Sequence, residues 1–184
     1  NQAWASKERT EEVKLIDLVN AYSVFSQDGI RHNQKIVLKI EDAKGNIIES
    51  SSDQAVQVFE PQYVQMLNDI LSDEDARRPL YSGSFGLTIF EDRQVAMKTG
   101  TTNDYRDAWT MGYAPYLAVG GWAGNNHQEP MEKNAGSILA ALPIWNAFMK
   151  EALLKYPVET FNKPPETNLL EISKSGSSCL NNDG

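Results

Sequence analysis

Between Glu12 and Ser26, Val13, Ile16, Leu18 or Val19, Tyr22 and Phe25 recur at helical spacing, which predicts an amphipathic helix. Thr10 stands where an N-cap belongs, and Gly29, after Gln27-Asp28, stands where a helix stops. The run Lys35 to Asp42 (KIVLKIED) reads as a strand, Ala43 to Asn46 as a turn, and Ile47-Ile48 as the return strand of a hairpin. Pro61 suits the first turn of a second helix, which runs to about Leu71 with Val64, Leu67 and Ile70 or Leu71 on one face. Residues 72–86 mix acidic residues, Arg77-Arg78-Pro79 and the glycines Gly83 and Gly86, a composition that predicts an irregular loop.

The pattern then shortens. Residues 94–99, 108–113 and 116–122 read as three strands in close succession, the last two joined by the tight link Ala114-Pro115. Consecutive strands with tight links predict an antiparallel meander. From Ala135 to about Lys155 an apolar-rich run predicts a long helix, with Asn134 as its N-cap. Pro143 inside it is expected to kink the helix or split off its first turns. After Pro157 the chain turns polar, with Pro164-Pro165 and a Ser-Gly-Ser-Ser run at 175–178. The expected organisation is one domain portion over 1–157 and a polar tail or linker over 158–184, without internal repeats. The fold class is α+β: an antiparallel β-sheet covered by helices.

Composition narrows the partners more than the fold. A chain of 184 residues with 41% hydrophobic and 23% charged residues is an ordinary globular composition, which excludes wholesale disorder. The net charge of -8, with no Lys/Arg block, argues against nucleic acid, because phosphate neutralisation needs clustered cations. The chain also lacks a basic face for an anionic membrane, and no apolar run approaches the roughly 20 residues of a membrane span. No signal peptide is visible, and the first residue is Asn1 rather than Met, so the chain reads as a fragment. The single cysteine, Cys179, forms no internal disulfide and no cysteine-based zinc site. His32 and His127 are far apart and read as loop residues, so neither a metal nor a cofactor is expected.

The chemistry concentrates between Val95 and Trp109. A strand ending Lys98-Thr99-Gly100-Thr101 sets a cation, two hydroxyls and a residue without a side chain within four positions. Lys98 and Thr101 cannot share a face by strict alternation, but a twist at Gly100 can bring Thr99 and Thr101 together. A cation with two hydroxyls suits a carboxylate. Gly100 lets another backbone approach the strand closely, and a backbone N–H just after it can stabilise an oxyanion. Taken alone, Lys-Thr-Gly reads first as a solvated strand end before a polar turn, because a tripeptide recurs too often by chance. No phosphate-loop pattern is present.

The longer context resembles one family. Lys98 to Trp109 (KTGTTNDYRDAW), then Met111 to Pro115 (MGYAP) and Gly121 to Gly124 (GWAG), resembles the third active-site motif of class A penicillin-binding proteins and the strands after it. Upstream, Glu12 to Gly29 is similar to the family's helix ending in a glycine turn, and Lys39 to Ile48 to its exposed hairpin. The helix from Ala135 is similar to its C-terminal helix, so the resemblance covers roughly 10–157. It implies a partial β-lactamase/transpeptidase-like fold lacking most of the all-helical half.

In that family a serine in Ser-x-x-Lys attacks the D-Ala-D-Ala bond of a peptidoglycan stem peptide, and Ser-x-Asn assists proton transfer. An amine of a neighbouring stem then takes the acyl group, and β-lactams acylate the same serine. On that resemblance Lys98 supplies positive potential and a hydrogen bond to the second-motif serine. The Thr99 and Thr101 hydroxyls hold the substrate carboxylate, the Thr101 N–H is an oxyanion donor, Gly100 keeps the groove open, and Thr102 adds a supporting hydroxyl. Arg106 and Asp107 are expected to form an ion pair or strand contact, and Trp109 and Trp122 to pack on the sheet. The chain contains no Ser-x-x-Lys and no Ser-x-Asn; Thr160-Phe161-Asn162-Lys163 has that spacing but lies after the last helix. Gly120-Gly121 and Asn125-Asn126 also depart from the family's valine-rich and acidic pattern. The implied partners are stem peptides, β-lactams and the missing N-terminal part of the same domain. Membrane contact would come only through an absent anchor, and the implied location is extracytoplasmic. The competing reading is a catalytically inactive binding or scaffold module; a β-lactamase or β-lactam sensor is a third.

Overall fold

A computed structural model describes residues 13–127, 129–132 and 136–165. Thr10, Asn134 and Cys179 lie outside the described residues. Helix α1 (Leu15–Ser26) ends as its glycine requires. The Gly29 N–H donates to the Val24 carbonyl (2.9 Å), Gly29 has φ +90°, and a Cβ there would lie 2.3 Å from the Phe59 oxygen. Strand β1 (Ile30–Arg31) pairs antiparallel with β4 (Val56–Gln57), and between them β2 (Lys39–Glu41) pairs with β3 (Ile47–Ser50) as the expected hairpin. Its turn is tied by Asp42, whose carboxylate accepts from the Lys44 and Asn46 N–H groups and from Asn46 Nδ2, each at 2.8 Å. The Asn46 side chain, and then its backbone, hold the Asp42 carboxyl below its ordinary pKa. Helix α2 (Pro61–Ser72) starts on its proline as expected.

Residues 72–86 are not an irregular loop. They form helix α3 (Glu74–Tyr81) and most of a 3₁₀ segment, Ser82–Thr88. Asp73 caps α3 through its side chain, accepting from the Ala76 N–H at 2.9 Å, and Glu74 and Asp75 in the first turn favour the positive helix end. The stabilising partner is distant in sequence. The half-buried Arg77 guanidinium donates to the carbonyls of Leu71 (2.8 Å), Thr88 (2.8 Å) and Val95 (3.1 Å). It thereby joins the end of α2, the 3₁₀ segment and the approach to the main sheet.

That sheet is the expected antiparallel meander, β5 (Ala96–Thr101), β6 (Asp107–Ala114) and β7 (Leu117–Gly124), in the order β5-β6-β7. Helix α4 (Ala141–Leu153) covers one face, with residues 137–140 forming turns ahead of it. Pro143 therefore sits in the first helical turn, where its missing N–H costs nothing, and it bounds the helix rather than kinking it.

Register sorts the side chains between the two faces. Met97, Gly112 and Val119 are aligned and face α4; Ala96, Tyr113 and Ala118 are aligned and face α1. On the α4 face the fully buried Trp145 donates from Nε1 to the Val119 carbonyl (3.0 Å) and fills the slot above Gly112. Gly120 and Gly121 divide the work: a Cβ at Gly120 would strike Val19 Cγ2 of α1 (2.6 Å), and one at Gly121 would press on Trp145 Cβ of α4 (3.1 Å). On the α1 face Asn68 is fully buried and joins three elements, donating to the Phe25 carbonyl (3.0 Å) and accepting from the Tyr113 hydroxyl (2.7 Å). Burial drives the Tyr113 pKa well above its ordinary value, with the nearby Tyr22 adding to the rise. Phe161, in the segment read from sequence as a polar tail, is only 8% exposed and packs edge-on against Tyr113 with ring centroids 5.5 Å apart.

Candidate functional site

Strand β5 lies at the edge of its sheet, so one side of its backbone has no strand partner among the described residues. Which groups face that side follows from the ladder. The Thr102 N–H donates to the Asp107 carbonyl (3.0 Å), and Thr101 is aligned with Ala108. In an antiparallel pair the inward- and outward-pointing residues alternate. Thr102, Gly100 and Lys98 therefore turn their backbone groups towards β6, while Thr101 and Thr99 turn theirs to the open edge.

The side chains divide the other way. Lys98 and Gly100 lie on the α1 face with Met111 and Trp109, their aligned neighbours. Thr99 and Thr101 lie together on the α4 face, so no twist at Gly100 is needed to bring them onto one side. The ammonium of Lys98 reaches round to the edge, where Nζ donates to the Thr99 carbonyl at 2.5 Å. Gly100 is not a packing glycine: a Cβ there would meet only Trp109 Cβ, at 3.9 Å. Cation, open backbone and uncrowded glycine thus share one edge.

Each threonine hydroxyl already has a partner that sequence reasoning did not supply. Thr99 Oγ1 hydrogen-bonds the Tyr81 hydroxyl (3.0 Å) at the end of α3, a helix read from sequence as loop. Thr101 Oγ1 accepts from the Ser137 N–H (3.0 Å) and donates to Ser137 Oγ (3.3 Å). Thr102 Oγ1 accepts from the Asp107 N–H (2.8 Å) and donates to Asp107 Oδ2 (3.0 Å). The other oxygen of Asp107 accepts from Trp122 Nε1 (2.9 Å). Asp107 is thus a strand contact, one of the two roles expected of it; nothing in the sequence pointed to Tyr81 or Ser137. The turn that these bonds close carries two adjacent non-glycine residues with left-handed backbone, Asp104 (φ 61°) and Tyr105 (φ 57°). The Tyr105 carbonyl in turn accepts from the Met131 N–H (2.9 Å).

Such an edge can take an extended peptide by strand addition, with main-chain bonds at Thr99 and Thr101 and a cation beside them. Comparison with known proteins places the chain in a family. The model of the penicillin-binding protein transpeptidase domain matches residues 12–150. Penicillin-binding protein 1A of Aquifex aeolicus is 33% identical over 164 residues, which cover 89% of this chain and 22% of that protein. Penicillin-binding protein 2D of Bacillus subtilis is 30% identical over 160 residues, covering 85% and 23% respectively. This chain therefore spans between a fifth and a quarter of the length of these relatives. In structure, the crystallised penicillin-binding protein 1A of Haemophilus influenzae aligns over 83% of this chain and 28% of its own, with TM-score 0.68 and 20% identity. Penicillin-binding protein A of Mycobacterium tuberculosis, in an imipenem acyl-enzyme complex, aligns over 79% and 33% with TM-score 0.61 and 19% identity. Those two likenesses carry the β-lactamase/transpeptidase fold. With the matched family model and the sequence relatives, they establish that this chain belongs to the transpeptidase family of the class A penicillin-binding proteins.

Proposed function

We propose that the chain is the part of a peptidoglycan D,D-transpeptidase that supplies the substrate-binding strand, β5, while the nucleophilic serine lies elsewhere in the same protein. The observation that carries this reading is the open edge of β5, where the Lys98 ammonium stands beside the outward backbone groups of Thr99 and Thr101. A stem peptide, or a β-lactam in its place, lies along that edge. The Thr101 N–H donates to the carbonyl oxygen as it gains charge, and Lys98 holds positive potential over the acylation centre. Thr99 and Thr101 exchange their present hydroxyl partners for the ligand carboxylate, Gly100 leaves room beside the acyl group, and Thr102 holds the strand end through Asp107. The reaction is serine acylation followed by transfer to an amine, carried out on the outer side of the cytoplasmic membrane.

The N-terminal part of the same domain is the remaining partner. Two features support this: β7, like β5, has an outer edge without a strand partner among the described residues, and Ile144 and Phe148 of α4, one turn apart, are each 61% exposed.

The test uses the complete protein and a fluorescent penicillin. Lys98→Ala lowers the acylation rate constant by roughly 10²-fold with little change in melting temperature. Unchanged kinetics would remove Lys98 from the site. An upstream reading frame with Ser-x-x-Lys and Ser-x-Asn agrees with this reading, and one without them turns the chain into an inactive binding module. Acylation of this chain by itself would also refute it, since it contains no Ser-x-x-Lys.

A further inference from the structure

Helix α4 ends at Leu153 inside the cluster of Met97, Trp145 and Met149, on one face of the sheet. Phe161 is buried with Ala96 and Tyr113, on the opposite face. Between the two the chain passes round the end of the sheet, and it is fastened along the way. Arg93 Nη1 donates to the carbonyls of Tyr156 (2.8 Å) and Pro157 (2.7 Å), and the Glu159 carboxylate lies close enough to Tyr116, in the turn between β6 and β7, to raise the pKa of its phenol. Asn162 donates to the Asp28 carboxylate beyond α1. Phe161 makes the central attachment: its ring meets Tyr113, the residue aligned with Ala96, and its N–H donates to Gln94 Oε1 (3.0 Å).

Gln94 uses both ends of its amide, since its Nε2 donates to Ser72 Oγ (2.9 Å) at the end of α2. It stands two residues before β5 begins and four before Lys98, about 13 Å along an extended chain. An edge strand has one neighbour to hold it laterally, so the anchoring of its first residues fixes where the rest of it lies.

We infer that residues 157–162 form a strap that positions the substrate-binding strand, with Phe161 and Gln94 as positioning residues for Lys98 and the Thr101 N–H. The inference rests on the reading of β5 as the substrate strand. The strap acts by geometry alone, touching neither substrate nor reacting atoms. A misplacement of about 1 Å in a catalytic group costs up to ~10²-fold in rate.

The test is acylation of the complete protein by a fluorescent penicillin, resolved into a dissociation constant and an acylation rate constant, beside a melting curve. Gln94→Ala and Phe161→Ala are compared with Val24→Ala, a core truncation in α1 outside the cluster of Ala96, Tyr113 and Phe161. At a temperature where all remain folded, the two strap variants are expected to acylate roughly tenfold more slowly or worse. Val24→Ala, with an equal or larger loss of melting temperature, keeps the wild-type rate, and Phe161→Leu recovers part of the Phe161→Ala loss. Wild-type acylation rates in both strap variants would overturn the inference, because the strap would then serve stability alone. If the wild-type protein is not acylated at all, the transpeptidase reading fails. The strap is then read by amide exchange at Lys98 and Gly100, faster in Phe161→Ala if the strap holds β5 and unchanged if it does not.

Discussion

Replacing Thr102 with valine removes a hydroxyl and leaves the shape of the side chain. Two hydrogen bonds go with it, one accepted from the Asp107 N–H at 2.8 Å and one donated to the Asp107 carboxylate at 3.0 Å. They close a turn in which Asp104 and Tyr105 both adopt left-handed backbone, at roughly 1–2 kcal/mol each for residues with a Cβ. The neck of the turn must offset that strain. A hydrogen bond contributes about 0.5–1.5 kcal/mol net and more to a charged partner, but this neck is exposed to solvent, so the pair together is expected to contribute about 1–2 kcal/mol. For a domain of this size that corresponds to a fall of about 3–6 °C in melting temperature. Thr102→Ser keeps both bonds and should melt close to wild type. Thr101 is the adjacent residue, so a looser neck misdirects its N–H and slows acylation while the dissociation constant of a fluorescent penicillin stays where it was. Stopped-flow acylation of the complete protein, run beside thermal melts, measures all three quantities. The reasoning is refuted if Thr102→Val melts like wild type and weakens ligand binding, since the hydroxyl would then contact the ligand rather than the neck.

Three other perturbations probe the sheet. The Thr110 hydroxyl is fully buried and has no hydrogen-bond partner among the described residues, so Thr110→Val should be neutral or raise stability by about 1 kcal/mol in chemical denaturation, and a clear loss would reveal a hidden partner. Gly112→Ala would set a Cβ 2.2 Å from Cζ2 of the fully buried Trp145, a clash expected to cost at least about 2–3 kcal/mol; Trp145→Phe in the same protein should recover part of it, and wild-type stability in the single variant would show that the slot is not tight. The Tyr113 phenol has a folded-state pKa raised above its ordinary value near 10, so its contribution is fully present below pH 10 and is lost as the pH rises through the folded value. Urea midpoints from pH 8 to 11 should therefore fall more steeply for wild type than for Tyr113→Phe, and parallel profiles would refute the assignment.

Much of this architecture was legible because it depends on short-range pattern. Pro61 with apolar residues every third or fourth position specifies α2, and three short strands with tight links specify the meander whatever packs on it. Lys98-Thr99-Gly100-Thr101 marked the candidate site, and alternation alone separated Lys98 from Thr101. Helix α3 was not legible because its composition is that of a loop. The local start signal, Asp73 as N-cap with Glu74 and Asp75 in the first turn, was masked by Pro79 and the glycines after it. The bonds of Arg77 to carbonyls on three other segments leave no record in local propensity.

By itself, then, the sequence determined the helices and strands whose periodicity is local, the α+β class, and a strand carrying a lysine, two hydroxyls and a glycine. Tertiary structure decided the rest. It placed β5 at a sheet edge, gave Tyr81, Ser137 and Asp107 to the three threonine hydroxyls, and folded a polar-looking tail round the sheet to bury Phe161. The reason is physical. Helical and strand periods are written into every few residues, but an edge, a hydroxyl's partner and an aromatic's pocket are made by segments far apart in the chain, and they come into being only when those segments pack.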